Sequence, residues 1–228
     1  MSELVQIGDA TLYLGDCLEV LPTLPGRSVP SVVADPPYGM GFRSNYRQDK
    51  HAAIANDSEG ACLRWACGLQ ADHSKYVFCR WDNLSELERP KSVITWVKNN
   101  WSMGDLQHEH ARQTELIMFW PGPHHFFPKE RPQDVVYASR TGNALHPTEK
   151  PVSLMERVVS WTDGLVFDPF MGSGATGVAC AKLGRKFIGI EIEPKYFDIA
   201  CKRIEDAYAQ PDMFVETTSK PVQEKFEL

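Results

Sequence analysis

The tetrapeptide Asp35-Pro36-Pro37-Tyr38 combines a carboxylate, a rigid backbone and a flat aromatic ring. Its two prolines restrict the backbone and lack N–H groups, so the Pro36 carbonyl is presented rigidly beside the Asp35 carboxylate. Two acceptors over the Tyr38 ring suit a planar ring with an exocyclic amino group, because they accept its N–H protons while the ring stacks on tyrosine. The alternative interpretation is a proline-rich strand exit with a packed tyrosine.

A second candidate for chemistry is the glycine run from Gly172 to Gly177, which matches G-x-G-x-x-G and is followed by Glu191. Glycines let the backbone approach a nucleoside-bearing ligand, and an acidic side chain at the next strand end can accept the ribose hydroxyl protons. A phosphate-binding P-loop is excluded, because Val178-Ala179 follow Gly177 in place of lysine and a hydroxyl residue. The run predicts a nucleoside-type ligand, and a plain strand-to-helix turn is the alternative.

Strand ends must position both candidates. The run from Val29 to Ala34 is short, apolar and β-branched, which predicts a buried strand that ends at Asp35. Residues 164–184 have the pattern of strand, glycine turn and helix, and residues 185–209 that of strand, acidic end and helix. This βαβα unit predicts an α/β fold.

The other segments are assigned more coarsely. We expect a short hairpin or strand ending at Gly15-Asp16 and then a helical turn. Helices are expected within residues 62–70 and 149–162, and strands within 75–81, 91–98 and 114–120. A surface loop is expected at 41–58, irregular structure in the proline-rich stretch 121–147, and a loosely held tail from Gln210.

Four motifs together resemble the amino-group DNA methyltransferases that use S-adenosylmethionine: DPPYG at 35–39, HPTEKP at 146–151, FDPFMGSG at 167–174 and GIEI at 189–192. Because the tetrapeptide precedes the glycine run, the order resembles the circularly permuted β class of that family. GDCLEVLP at 15–22, IANDS at 54–58 and WVKN at 96–99 extend the likeness over most of the chain. Residues from about 100 to 143 and the tail lack a recognisable pattern.

The resemblance implies an α/β, Rossmann-like methyltransferase fold: a mostly parallel sheet with helices on both faces and an inserted target-recognition region. It implies one domain over residues 1–228, with the catalytic loop and recognition region at about 41–145 and a C-terminal extension at about 210–228.

The resemblance also implies the site residues. The catalytic set is Asp35, Pro36, Pro37 and Tyr38. The cofactor-binding set is Asp16, Cys17, Asp35, His146, Thr148, Lys150, Asp168, Phe170, Gly172, Ser173, Gly174, Glu191 and Ile192. In this set Glu191 would hold the ribose hydroxyls, and Lys150 would pair with the carboxylate of the cofactor's methionine part. The family often has GSGT where this chain has GSGAT, so the threonine hydroxyl lies one place later and its contact is open.

The implied reaction is attack by the exocyclic amino group of a flipped-out base on the methyl group of S-adenosylmethionine. Adenine is the expected target, because DPPY resembles the adenine enzymes more than the cytosine enzymes, which more often begin with serine. The 4-amino group of cytosine stays open. A nicotinamide-dependent oxidoreductase and a non-catalytic nucleic-acid-binding module are the alternatives from other classes, and the oxidoreductase gives the tetrapeptide no role.

The net charge of -6 speaks against a nucleic-acid partner at first sight. The charge is unevenly spread, however: residues 41–150 carry +1 and the flanks carry -7. We therefore expect double-stranded DNA to bind to the segment 41–150. The candidate phosphate and base contacts are Arg43, Asn45, Arg47, Lys50, Arg80, Lys98, Asn99, Arg112, Lys129, Arg131 and Arg140.

Cysteine usage and length limit the remaining possibilities. The spacing of Cys62, Cys67, His73 and Cys79 is unlike that of structural zinc sites, so we expect no metal. No basic segment leads into an apolar run at the N-terminus, which predicts reduced thiols and a cytoplasmic protein. The resemblance implies that the protein is encoded by a bacterium or a phage. The sequence has no uninterrupted apolar run of about 18 residues, so we expect no membrane-spanning segment. We expect a homodimer that recognises a short DNA sequence. The sequence does not indicate whether a cognate restriction endonuclease exists.

Overall fold

The computed structural model describes residues 3–24, 29–39, 60–100, 107–108, 110–143, 145–146 and 148–210. The expected loop at 41–58, the expected tail beyond Gln210, and the candidates Arg43, Asn45, Arg47 and Lys50 lie outside the described residues.

The described chain forms one nine-stranded mixed sheet. Its strands are β1 (Glu3–Ile7), β2 (Ala10–Leu14), β3 (Val29–Ala34), β4 (Ala71–Cys79), β5 (Ser92–Val97), β6 (Thr114–Pro121), β7 (Val135–Tyr137), β8 (Val166–Asp168) and β9 (Phe187–Glu191). Their order across the sheet is β1-β2-β9-β8-β3-β4-β6-β5-β7. The contiguous run from β2 to β4 is parallel, as is the β5–β7 pair, whereas β1 and β6 pair antiparallel with their neighbours. The mostly parallel α/β architecture is confirmed.

Among the described residues, five α-helices cover both faces of this sheet: α1 (Cys17–Val20), α2 (Ala61–Gly68), α3 (Val152–Ser160), α4 (Ala175–Lys182) and α5 (Pro194–Ala209). Helices α3, α4 and α5 bury apolar side chains in one core with Val33 and Phe78, while α1 and α2 bury theirs in a second core with Val32 and Val77. Val32 and Val33 are both fully buried, because successive side chains of a strand point to opposite faces and both faces are covered.

Most expected elements are confirmed, and one expectation needs correction. The proline-rich stretch 121–147 is not wholly irregular, since the short strand β7 pairs with β5 inside it. Within the segment 41–145, the strands β4, β6, β5 and β7 extend the same sheet beyond β3.

The sheet gathers acidic side chains at one edge. Asp168 is the last residue of β8 and Glu191 the last of β9, while Asp35 directly follows β3. These three strands are parallel neighbours, so their carboxyl ends meet at the same edge. This is the edge at which open α/β sheets bind ligands. In the described part of the chain, no helix has the length and apolar character needed to cross a membrane.

Candidate active site

A cavity of about 650 Å³ lies at this carboxyl edge. It is lined by the whole tetrapeptide and by every predicted cofactor-binding residue except Gly174. Its volume is in the range of pockets that bind small molecules and cofactors. The two motifs that the sequence suggested separately therefore share one cavity.

Glu191 is held rigidly at the wall of the cavity. Its Oε2 accepts a hydrogen bond from the Gly172 backbone N–H at 2.9 Å, and its Oε1 accepts one from the Glu193 N–H at 2.8 Å. Burial raises the pKa of Glu191, although these backbone donors counter the effect. An ionised carboxylate can accept about four hydrogen bonds, so Glu191 keeps acceptor capacity toward the cavity.

The glycine run is shaped by packing as well as by the cavity. Gly174 has φ +81 and caps the start of α4, and a Cβ there would lie 2.9 Å from the Ala200 Cβ on α5. The second glycine of the motif therefore lets α5 approach the turn closely. This explains why Gly174 does not line the cavity although both of its chain neighbours do.

Asp168 stabilises the turn between β8 and α4 through both of its carboxylate oxygens. Its Oδ1 accepts from the Phe170 N–H at 3.0 Å and its Oδ2 accepts from the Thr176 hydroxyl at 2.5 Å. The hydroxyl whose contact the sequence left open thus supports Asp168. Burial raises the pKa of Asp168 to about 7 despite these two donors.

Arg203 on α5 is a cavity-supporting residue that the sequence did not suggest. Its guanidinium donates to the Ser173 carbonyl at 2.7 Å and to the Ser173 hydroxyl at 2.9 Å, and it lies 3.1 Å from Glu149 Oε1. Ser173 belongs to the glycine run and Glu149 to the HPTEKP segment, and both line the cavity. Arg203 therefore ties two separate parts of the wall to one helix.

The tetrapeptide is organised around the Asp35 carboxylate. The Tyr38 hydroxyl donates to Asp35 Oδ1 at 2.6 Å, and the Lys150 ammonium donates to Asp35 Oδ2 at 2.6 Å. Asn83 donates to the Tyr38 carbonyl at 3.3 Å and holds the end of the tetrapeptide. Burial and the adjacent Asp35 raise the pKa of Tyr38 well above its usual range, so this hydroxyl remains a donor.

Lys150 differs from the expectation. It lines the cavity, but its ammonium pairs with Asp35 and also lies 3.4 Å from Glu115 Oε2. Lys150 is 7% exposed, so its charge is neutralised by these two carboxylates within the protein. The structure thus places the Lys150 ammonium against the tetrapeptide, and its pairing with a cofactor carboxylate stays a prediction.

The DNA-contact candidates divide between the two edges of the sheet. Arg80, Asn99 and Arg140 follow the carboxyl ends of β4, β5 and β7, and Arg112 precedes β6. Because β5 and β7 run parallel to β4, and β6 runs antiparallel to it, these four residues flank the tetrapeptide's edge. Of the four, Asn99 and Arg112 are exposed, whereas Arg80 forms an ion pair with Asp82.

Three other candidates are less suited to DNA contact. Lys129 and Arg131 are exposed, but their connection begins at the end of β6 and ends at the start of β7, both at the opposite edge. Lys98 is only 9% exposed, and its ammonium lies 2.5 Å from Glu115 Oε1. Because this charge is buried and paired, the structure disfavours a contact between Lys98 and DNA, which stays an untested prediction.

Metal-binding geometry is absent from the part of the chain that is described: no group of three or more His, Cys, Asp or Glu side chains could hold an ion. Cys67 and Cys79, two of the residues weighed as zinc ligands, are buried in the core. Burial raises the pKa of Cys67 to about 11 and that of Cys79 to about 12, which disfavours the thiolate that metals require.

Comparison with known proteins gives consistent matches. The model of a family described as DNA methylase, N6_N4_Mtase, matches residues 29–202. YubD of Escherichia coli (strain K12), which is named as a candidate methylase, is 32% identical over 208 residues, covering 83% of this chain and 88% of that protein. The type II methyltransferase M.HinfI of Haemophilus influenzae is 26% identical over 251 residues, covering 89% of this chain and 70% of that protein. The crystal structure of the M1.HpyAVI–SAM complex superposes with a TM-score of 0.64 at 26% identity, covering 86% of this chain and 99% of that one.

Proposed function

The chain belongs to the N6/N4 DNA methylase family, and from that premise we propose that it methylates the exocyclic 6-amino group of adenine in double-stranded DNA, with Asp35 at the reacting amine. That the chain is an S-adenosylmethionine-dependent DNA methyltransferase follows from the family and its relatives. The base that it modifies and the roles of individual residues are the substance of the proposal. The observation that carries them is the single cavity shared by the tetrapeptide and the glycine run.

The residues of the cavity fit S-adenosylmethionine. Glu191 offers acceptors for two ribose hydroxyls from a carboxylate that backbone donors already orient. Leu18 and Ile192 are exposed apolar side chains at the same wall, suited to cover an adenine ring. When bound, S-adenosylmethionine supplies an electrophilic methyl group on a positively charged sulfur. Asp16 lies at this wall with its side chain capping α1 through the Leu18 N–H, so it serves the adenine end of the site.

Asp35 and the Pro36 carbonyl accept hydrogen bonds from the two amine N–H groups in the proposed reaction. These hydrogen bonds draw the nitrogen lone pair out of conjugation with the base and stabilise the positive charge that develops on nitrogen. As the bond from nitrogen to the methyl carbon forms, the methyl–sulfur bond would break, S-adenosylhomocysteine would leave, and the amine would lose one of its two protons. Tyr38 and Lys150 each donate to one oxygen of Asp35, and a carboxylate has about four lone-pair positions, so acceptor capacity remains. The Tyr38 ring supplies a stacking surface that offsets part of the few kcal/mol that base flipping costs.

DNA approaches the carboxyl edge in this proposal, with Asn99 and Arg112 as two of its exposed contacts there. The whole chain acts as one methyltransferase domain, and target recognition falls to the connections at that edge within 41–145. A homodimer provides the recognition surface that a chain of 228 residues offers sparingly on its own.

Substitution of Asp35 by alanine tests the assignment. Asp35→Ala removes the acceptor at the amine, so we expect methyl transfer to DNA to fall by at least about a hundredfold, as when one preorganised group is lost from a reacting centre. Binding of S-adenosylmethionine, measured by calorimetry, should change much less, because Glu191 and the glycine run are untouched. Full transfer activity in the variant would overturn the role of Asp35.

A further inference from the structure

Four charged side chains of alternating sign form a row behind the tetrapeptide. Lys98 on β5's carboxyl side lies 2.5 Å from Glu115 Oε1 on β6, and Glu115 Oε2 lies 3.4 Å from the Lys150 ammonium. Lys150 in turn lies 2.6 Å from Asp35 Oδ2. We call Lys98, Glu115, Lys150 and Asp35 the charge row. It joins the HPTEKP segment and two strands of the sheet's distal half to the proposed reacting centre.

The charge row is costly to maintain unless all its members are present. Lys98 and Lys150 are 9% and 7% exposed, and removal of an ion from water into a protein interior carries a penalty of several kcal/mol. Two cations and two anions alternate, so the row has no net charge and each buried ammonium has a carboxylate partner. Replacement of such a row by apolar side chains is often neutral or stabilising, so stability alone does not account for it.

From this arrangement we infer that Lys150 is a positioning residue for methyl transfer: held by Glu115 and Lys98, it fixes the orientation of the Asp35 carboxylate and keeps it ionised. The inference rests on the proposed function, because it gives Asp35 the role of acceptor at the amine. It adds a reason for a lysine at this place in HPTEKP that does not involve the cofactor.

Orientation follows from the two donors on Asp35. Tyr38 holds Oδ1 and Lys150 holds Oδ2, each at 2.6 Å, so the carboxylate is fixed at both oxygens before any base arrives. Lys150 itself is fixed by its second carboxylate, Glu115. An acceptor that is already oriented needs no rearrangement as charge develops on the amine.

Ionisation follows from the charges that face Asp35. Burial raises the pKa of Asp35, and the carboxylate of Glu115 adds to this effect, whereas Lys150 and the Tyr38 hydrogen bond lower it. Asp168 on β8 also interacts with Asp35 electrostatically. Burial would lower the pKa of Lys150, but Asp35 and Glu115 outweigh burial and raise it, so the ammonium stays charged. A protonated Asp35 would present a donor to the amine, and Lys150 opposes that protonation.

The pH dependence of single-turnover methyl transfer to DNA tests the inference with the full-length protein. In Lys150→Gln, which keeps a hydrogen-bond donor but no charge, we expect the acid limb of the rate profile to move to higher pH, by about 1 to 3 on the pH scale. At a fixed pH below the limb, the rate should then be lower by roughly tenfold to a thousandfold. Lys150→Arg keeps the charge and should leave the limb near its wild-type position.

Glu115→Gln gives the opposite sign. It removes a carboxylate that raises the pKa of Asp35, so the limb should move to lower pH even if the maximal rate also falls. Lys182→Met removes an exposed lysine that pairs with Glu156 on α3 and serves as the control with an unchanged profile. Asp168→Asn shows how much of the limb belongs to Asp168.

The two opposite shifts separate positioning from a merely structural role. If Lys150→Gln and Glu115→Gln lower the rate equally at every pH and leave the limb in place, the inference is overturned. The same holds if Lys150→Gln matches wild type. A wild-type protein that transfers no methyl group to DNA would refute the proposed function itself. If the wild type is active but the acid limb does not move in the variants, only the role of the charge row is refuted. Should Lys150→Gln not fold, the downward shift in Glu115→Gln remains decisive.

Discussion

Arg203 connects the two parts of the cavity wall, and Arg203→Met removes that connection while keeping an apolar stem of similar length. The change deletes two hydrogen bonds to Ser173, at 2.7 and 2.9 Å, and the ion pair with Glu149 at 3.1 Å. The Glu149 side chain is 7% exposed and would be left as a buried charge without this cation.

The expected magnitude follows from these contacts. Removal of one partner of a buried ion pair costs about 3–5 kcal/mol, and the Arg203 side chain is 20% exposed, so water screens part of this and we expect about 2–3 kcal/mol of lost unfolding free energy. The cofactor must then order a looser wall on binding. Ordering one or two residues costs about 1–2 kcal/mol each, or about 1–4 kcal/mol in all, which corresponds to a dissociation constant larger by roughly fivefold to several hundredfold.

Two further variants distinguish the connection from simple destabilisation. Arg203→Met/Glu149→Gln removes the orphaned charge, so it should recover much of the stability in urea unfolding but not the affinity for S-adenosylmethionine in calorimetry. Lys202→Met, at the residue before Arg203, removes an exposed ammonium that pairs with Asp206 one turn along α5. It should change neither the unfolding free energy nor the affinity for S-adenosylmethionine measurably. An unchanged dissociation constant in Arg203→Met would refute the reasoning.

Two other predictions concern the site. Asp168→Asn should flatten the pH dependence of the unfolding free energy, because asparagine does not titrate. The pKa of Asp168 is raised in the folded wild type, so the wild type loses stability as the pH rises from about 3.8 to about 7, by at most about 4 kcal/mol. Urea unfolding at about pH 5 and about pH 8 measures the difference, and parallel curves for the two proteins would contradict it. Arg112→Glu should weaken DNA binding and lower the number of counterions released on binding by about one. Lys129→Glu, also at an exposed residue but at the opposite edge, should do so much less. Equal effects of the two substitutions in a salt titration would show that the carboxyl edge does not select the DNA contacts.

Local sequence patterns were sufficient for the parts of the fold that a short segment determines. The strand before Asp35 and the βαβα unit after residue 164 have apolar runs that end at glycine or acidic residues, and the structure confirms them. The convergence of Asp35, Asp168 and Glu191 follows because carboxyl ends of parallel strands meet at one edge. The three-residue strand β7 is too short to show a period, and its position depends on pairing with β5.

The partners of charged side chains were not predictable in the same way. Lys150 and Asp35 are 115 residues apart, and Glu115 reaches them because β6 inserts antiparallel between β4 and β5. Arg203 lies on an amphipathic helix where a charged residue normally indicates a solvent-facing position. Both contacts depend on the packing of distant elements, for which a single sequence carries no local signal.

Mass analysis of nucleosides identifies the base that the protein methylates. Unmethylated double-stranded DNA is incubated with the purified protein and methyl-labelled S-adenosylmethionine, digested to nucleosides, and separated. We expect label in N6-methyladenine, and at least about a hundredfold less label when Asp35→Ala replaces the wild type. Label in 4-methylcytosine would contradict the choice of adenine, and DNA without labelled nucleosides would contradict the proposed methyl transfer.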